Sequence, residues 1–448
     1  MDPTSSTGGI SFTPSPSEQA THINASQLAK ALLLPSRQSY LAHPFHAQDL
    51  RFQAIRPFYA QATSLGLLKG QVHPRLGGSA SSLVEAAILV EEFYSVEQST
   101  ALTIFATGLG LTPLNIAADP VKHAEFIAPF LEAKEGSAPL ASLVFSEPGG
   151  VANALEKGGK GFQTTARFDK ESDEWVINGE KMWATNSAGW DFKGADLACV
   201  VCRDITEGDD GPQDPEQDPK EKVMIILVSR ADLDRNGEKS FEVIRQINMP
   251  GHTAVSGPHI RYNNVRVPAK NVLCSPGQGA QVAFASFDLS AVLVAAMGVG
   301  IMRAAFDAAI KFAKSDSRGG AVPLLERQAF ADLLSGVKMT AEAARALTWK
   351  AAYVMEHGPG DYDARREIAL AAKVWCSEAA VKAVMDIINA VGVTSYDIEQ
   401  PFAELLNNAL ALPIFDGGNV GIRRRHLQQL MLSPSYDAWA STYGPSTE

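Results

Sequence analysis

The apolar residues of this chain change their period twice, and that double change limits its fold more than any other feature. From about residue 25 to 138 they recur every three or four positions: Leu83, Ala86, Ala87, Val90 and Phe93 mark one stripe, with Glu85, Glu91 and Glu92 largely between them. A stripe of that period is the buried face of an amphipathic helix. Shorter runs rich in β-branched and aromatic residues follow: Ser142 to Phe145, Glu174 to Asn178, Asp196 to Cys202, Val223 to Val228, Phe241 to Arg245 and His259 to Val267. Gly, Pro and Asp clusters separate them, which predicts a small β-barrel or sandwich. After Pro276-Gly277-Gln278-Gly279 the helical period returns and holds to about Leu430, predicting long helices over Leu289 to Lys314, Leu324 to His357 and Ala364 to Gly392. The expected class is α+β: a disordered, Ser/Thr/Pro-rich tail at 1–22, an N-terminal helical domain at 23–140, a β-domain at 141–275 and a C-terminal helical domain at 276–448. Helices from both ends can pack as one bundle around the middle β-domain.

Composition removes several classes of function. A net charge of −11, from 39 basic and 50 acidic residues, argues against a nucleic-acid or anionic-membrane surface. The run Arg423-Arg424-Arg425 does not reverse that. Four scattered cysteines, Cys199, Cys202, Cys274 and Cys376, form no disulfide framework and suit a reducing compartment, so a cytoplasmic location is expected. Cys199 and Cys202 lie inside a strand-like apolar run without a second pair, so no metal site is expected. No basic-then-apolar leader is visible, and the terminal Gly-Pro-Ser-Thr-Glu is not the Ser-Lys-Leu address. Asp204 to Lys222, acidic and holding Pro212, Pro215 and Pro219, reads as an exposed loop.

One stretch carries candidate chemistry: Phe415-Asp416-Gly417-Gly418-Asn419, leading into the three arginines. Asp416 closes an apolar run and is followed by two glycines, which let the backbone approach a planar ligand. A helix beginning near Asn419 would turn its positive end toward the carboxylate and help keep it ionised. Two readings stay open on these residues alone: a base, or an acid that merely caps a helix.

Several ordered motifs extend this. Ser146-Glu147-Pro148-Gly149-Gly150 resembles the T-E-P-x-x-G turn of the acyl-CoA dehydrogenase superfamily. Asn178-Gly179-Glu180-Lys181-Met182-Trp183-Ala184-Thr185-Asn186 is similar to its N-G-x-K-x-W-I-T-N, and Val265-Arg266-Val267-Pro268 with Asn271-Val272-Leu273 to its V-R-V-P-x-x-N-x-L. The Asp416 stretch resembles the segment that holds the superfamily's catalytic glutamate. Its aspartate and following arginines, with Lys314-Ser315-Asp316 and Gly189-Trp190-Asp191, are most similar to the nitroalkane oxidase branch.

That resemblance implies a fold of helical, β and helical domains ending in a four-helix bundle, and FAD as cofactor. It places Trp183 against the isoalloxazine, the Thr185 hydroxyl at flavin N5, and Ser146 at the pyrimidine side with backbone groups of Leu143 and Phe145. Arg318, Gln328 and Gly392 are assigned to the nucleotide end, the first two on the flavin of a neighbouring subunit, hence a homotetramer. Val151-Ala152-Asn153 replaces the superfamily's G-S-D, and Asn407-Asn408 its R-D, which weakens pyrophosphate and adenine contacts there. Asp416 becomes the base, and Gly417 and Gly418 after it are assigned to contact with the cofactor. Ser290 stands where some relatives carry an alternative glutamate and is expected to bond Asp416 or the substrate. Arg423 is expected to turn back toward the carboxylate, whereas Arg424 and Arg425 read as a solvated face or subunit contact. The implied reaction is oxidation of a primary or secondary nitroalkane by dioxygen, through proton abstraction by Asp416 and attack of the carbanion on flavin N5. Aldehyde or ketone, nitrite and hydrogen peroxide would result. Two alternatives remain: an acyl-CoA dehydrogenase or oxidase, against which Ala291 counts because CoA-using relatives often place arginine there, and a catalytically idle flavoprotein scaffold.

Overall fold

Ser15 starts the first helix by a reciprocal cap: its hydroxyl accepts from the Glu18 amide, and its own amide donates to the Glu18 carboxylate at 2.6 Å. With Pro16 at the first helical position, this places α1 at Pro16–Leu41, so that helix already begins within the segment 1–22 expected to be disordered. The computed structural model describes residues 13–132, 134, 136–206 and 217–446, so the rest of that expected tail, and the middle of the acidic loop, lie outside the described residues. The N-terminal helices continue as α2 (Gln48–Ala54), α3 (Arg56–Ser64), α4 (Leu83–Tyr94), α5 (Gln98–Ala117) and α6 (Ala124–Leu131). On α4 Ala87, Val90 and Phe93 of the expected stripe are fully buried, Leu83 and Ala86 only partly, and Glu91 and Glu92, expected between them, are buried as well, paired with Arg303 and Arg345.

The strands are β1 (Ala141–Val144), β2 (Thr165–Asp169), β3 (Glu174–Met182), β4 (Leu197–Asp204), β5 (Val223–Ser229), β6 (Phe241–Arg245), β7 (His259–Pro268) and β8 (Val272–Cys274). A short helix, α7 (Arg230–Asn236), links β5 to β6. The sheet runs β6-β7-β3-β2-β4-β5-β8, with β1 parallel to β4. β2 was not foreseen because Thr-Ala-Arg-Phe-Asp has little apolar signal. Its strand form comes from antiparallel pairing with β3, from Thr165 opposite Asn178 to Asp169 opposite Glu174. β4 is buried on both faces. Ala198, Val200 and Cys202 join the apolar interior of the β-domain, whereas Leu197, Cys199 and Val201 join the larger core shared with the helices. Cys199 and Cys202 therefore point to opposite sides of one strand.

The C-terminal helices are α8 (Gly279–Ser315), α9 (Gln328–His357), α10 (Tyr362–Val391), α11 (Phe402–Ala411), α12 (Arg424–Met431) and α13 (Ala440–Tyr443). α8, α9 and α10 pack on one another, α11 lies on α10, and α4 and α5 lie against α8. Close approach is made possible by Gly298, where a Cβ would sit 3.0 Å from the Cys376 carbonyl of α10. The helices from both ends of the chain thus share one core.

Candidate active site

Two of the motifs meet where the turn after β1 packs on the end of β3. Glu147, from the turn after β1, and Lys181, from β3, form a buried ion pair at 3.1 Å. The Lys181 ammonium also donates to the Phe145 carbonyl at 2.9 Å, and Glu147 accepts from the amides of Gln163 and Thr164 at 2.8 and 2.9 Å. Burial pushes the Glu147 carboxyl up, but Lys181 and the two amides outweigh it and hold it below its ordinary value. The Met182 amide donates to the Ser146 carbonyl, and the Ser142 hydroxyl to the Thr185 carbonyl. Leu143, Phe145, Ser146, Trp183 and Thr185 are thereby brought to one lip, though far apart in sequence. At that lip Trp183 has φ +69°, a conformation uncommon for an aromatic residue, and keeps its indole 52% exposed.

From the lip the path to Asp416 runs through aromatic rings. Phe145 packs edge-on against Phe287 of α8, with centroids 5.2 Å apart. The Phe287 carbonyl accepts from Arg423 at 2.8 Å, and the Ser290 hydroxyl lies 3.1 Å from it. That hydroxyl lies closer, at 2.6 Å, to Asp416 Oδ2, where its one proton makes the stronger, charge-assisted bond.

Asp416 itself stands in a left-handed turn, φ +55°, followed by Gly417 at φ +75°. A Cβ on Gly417 would lie 2.9 Å from Arg423 Nε, so this glycine makes room for the arginine. A helix does begin at Asn419, as a π-helical turn Asn419–Arg423 that leads into α12, but its cap position is Gly418 and no side chain caps it. Asp416 is thus not a capping acid. Its Oδ2 is used by Ser290, and its Oδ1 is buried with no hydrogen-bond partner.

Arg423 is buried and turns back as expected, but chiefly onto the backbone. Its Nε and Nη2 donate to the Asp416 carbonyl at 3.2 and 2.8 Å, and its Nη1 to Asp288 Oδ1 at 3.2 Å. The nearer Asp416 carboxylate oxygen is 3.9 Å away. Burial drives the Asp416 carboxyl above its ordinary value, and Arg423, Ser290 and Lys373 offset this only in part. Desolvation is thus the largest influence on the carboxyl, and the neighbouring cations and the Ser290 hydroxyl oppose it.

Sequence reading missed four participants. Asp288 is a second buried carboxylate next to the turn, but it is committed to Arg423, Arg366 (3.3 Å) and the Tyr362 hydroxyl (3.1 Å). Lys373 of α10 is the fourth, donating to Asn419 Oδ1 at 2.7 Å and the Gly417 carbonyl at 3.3 Å. A lysine in the middle of an apolar helix face was the available signal. Arg425 also departs from expectation. It bonds the Asn153 side chain at 2.5 Å and the Ala152 carbonyl, tying α12 to the loop where the superfamily's pyrophosphate serine would stand. Arg424 pairs with Glu378 at 2.6 Å.

The nucleotide-end candidates form a separate group. Arg318, after α8, donates to the Thr394 hydroxyl at 2.8 Å and to the Val391 carbonyl, which sets it beside Gly392. Gln328 is the exposed first residue of α9.

Family models for the acyl-CoA dehydrogenase N-terminal and C-terminal domains match residues 26–134 and 277–432. A nitroalkane oxidase of Podospora anserina is 72% identical over 435 residues, covering 97% of this chain and 99% of the relative. One from Fusarium oxysporum is 43% identical, covering 98% of both. Among solved structures, the Podospora anserina nitroalkane oxidase superposes with a TM-score of 0.94 at 71% identity, over 97% of this chain and 100% of that one. A nitroalkane oxidase active-site mutant with aspartate replaced by asparagine, crystallized with 1-nitrooctane, superposes with a TM-score of 0.93 at 42% identity over 97% of this chain and 100% of that one. Sequence and structure agree over almost the whole length, and the chain belongs to the nitroalkane oxidases of the acyl-CoA dehydrogenase superfamily.

Proposed function

We infer that the protein oxidises primary and secondary nitroalkanes to aldehydes or ketones with release of nitrite and hydrogen peroxide, using FAD and dioxygen, and that Asp416 is its base. The observation that carries the role of Asp416 is its divided carboxylate: Oδ2 is fixed by Ser290, while Oδ1 is buried and unpartnered. A carboxylate raised by burial binds a proton more readily than one in water, which suits it to remove one from carbon. Ser290 orients the carboxylate, and Arg423 fixes the carbonyl of the same residue, so the base has little freedom to turn away. The positive charges of Arg423 and Lys373 favour the negative charge that develops on the substrate as its proton leaves.

The members of this family are FAD flavoproteins, and the residues here fit that group. Trp183 offers a half-exposed indole from a conformation that the sheet must impose, and Thr185 and Ser146 sit on the same lip. Bound FAD supplies the electron acceptor for the carbon that has lost its proton. Trp183 would face the ring and the Thr185 hydroxyl its N5, while Leu143, Phe145 and Ser146 would hold the pyrimidine side. We place Arg318, Gln328 and Gly392 at the nucleotide end of FAD, the first two on the flavin of a neighbouring subunit in a homotetramer. Support comes from Val393, Tyr396 and Ile398, which are 85%, 89% and 92% exposed just after Gly392, an apolar edge that a second copy would cover.

A thioester substrate is disfavoured by Ala291, which is buried in α8 where CoA-using relatives often carry arginine. The test is one preparation of FAD-loaded protein given nitroethane or butyryl-CoA. Nitrite and peroxide from nitroethane are expected. Flavin bleaching by the thioester alone would overturn the reading. Asp416→Asn separates the base from an idle scaffold, because a scaffold predicts unchanged turnover.

A further inference from the structure

We propose that Lys373 is a positioning residue for the base: from α10 it ties down the turn that carries Asp416 and sets a buried positive charge beside its carboxylate. This rests on the reading of Asp416 as the base. Lys373 lies on a helix face whose neighbours Ala369, Leu370, Ala372, Cys376 and Ala380 are all buried and apolar, and the lysine is fully buried with them. An ammonium in such a place is costly unless something balances it.

The direct contacts of Lys373 are neutral acceptors, the Asn419 side chain and the Gly417 carbonyl. Both belong to the turn after Asp416. Asn419 is in turn held by Ser377 Oγ and Glu378 Oε1, each at 3.0 Å, so the turn is bolted to α10 at two places. Such fastening matters because Asp416 has a left-handed backbone that a non-glycine residue adopts at a cost.

The charge of Lys373 also lacks another taker. Asp288 of α8 is engaged by Arg423 and Arg366, and Glu378 of α10 by Arg424. Among the carboxylates near this turn, Asp416 is the one whose charge those cations leave least balanced. Burial brings the Lys373 ammonium down to about 7, and the Asp416 carboxylate is the largest influence in the opposite direction.

The experiment uses full-length, FAD-loaded protein with nitroethane, and compares Lys373→Gln, Lys373→Met and Lys373→Arg with the wild type and Asp416→Asn across pH. Glutamine keeps a donor but removes the charge. Its FAD spectrum and thermal midpoint should stay near wild type while the acidic limb of kcat/KM moves to higher pH, because losing a cation disfavours the Asp416 carboxylate. Methionine removes donor and charge, and should lower kcat by on the order of a hundredfold at every pH, as a displaced base does. Arginine should return the limb toward wild type. Superimposable profiles for the glutamine and wild-type proteins would overturn the proposal while leaving the base reading intact. Turnover surviving in Asp416→Asn would instead sink the base reading. If the lysine variants do not fold, carbon-13 NMR of labelled lysine in the wild type and in Asp416→Asn still decides: the Lys373 titration should fall in the asparagine protein, and an unmoved titration would refute the partnership.

Discussion

Glu147 and Asp416 are both buried carboxylates next to a cation, and the fold treats them in opposite ways. Glu147 has every contact it needs: Lys181 at 3.1 Å and two backbone amides, with its carboxyl held below the ordinary value. Asp416 has one oxygen on Ser290 and the other on nothing, its nearest arginine is 3.9 Å away, and its carboxyl is raised. A satisfied carboxylate is a fastener and an unsatisfied one is a reagent. The first clamps the turn after β1 to β3. The second leaves one carboxylate oxygen without a partner, as the proposed base requires.

The comparison can be broken most directly by neutralising each acid in turn. Asp416→Asn should lower kcat/KM for nitroethane by on the order of 10²–10⁴-fold with the FAD spectrum retained. Glu147→Gln should leave the rate of FAD-loaded protein far less affected and weaken FAD retention instead. Steady-state kinetics with a visible spectrum of each variant decides, and equal kinetic losses would erase the distinction.

A second test asks whether the Glu147 pair is a fastener. Lys181→Met leaves a buried carboxylate without its cation and should cost about 3–5 kcal/mol of stability by denaturant unfolding. The double variant Lys181→Met with Glu147→Gln should recover much of that loss. If single and double variants are equally unstable, the pairing is not what holds this lip.

Ser290→Ala sharpens the other half. Removing one charge-assisted hydrogen bond from Asp416 should reduce kcat/KM by roughly tenfold, and the acidic limb of its pH profile should move up, since Ser290 opposes the rise of the Asp416 carboxyl. An unchanged limb would mean that the serine touches the base without tuning it.

The smallest effect is the pH dependence of stability, and here the two acids should have opposite slopes. Glu147, held below its ordinary value, contributes stability that is present above the unfolded carboxylate range and lost as pH falls through the folded value. Asp416, raised, favours the folded state when protonated, so its contribution declines as pH rises from the unfolded toward the folded value. Thermal midpoints of Glu147→Gln and Asp416→Asn followed from acid to neutral pH should differ from wild type in opposite directions of slope.

Much of this is legible in the sequence. The change of period located the helical and strand regions, and β6 at Phe241–Arg245 falls on the expected run. The short polar strand β2 was not legible, because only pairing with β3 makes it a strand. At the site, Asp416, Ser290 and Arg423 were all marked in the sequence, and the structure brings them into contact. Asp288 and Lys373 escaped. A buried charge leaves a local mark only as a polar residue in an apolar helix, which looks the same when it points to solvent.

By itself the sequence determined the order of helical and strand regions, the motifs that meet around Trp183 and the aspartate in its glycine turn, because each is a local pattern of side-chain type and backbone freedom. What only the tertiary structure decided is the state of that aspartate. Ser290 lies 126 positions away in the chain, with Asp288 on the same helix α8, Lys373 arrives from α10, and Arg423 folds back from seven residues on. Whether a carboxylate is capped, paired or left with a free oxygen is set by desolvation and by which charges are packed around it, and both are properties of the assembled core.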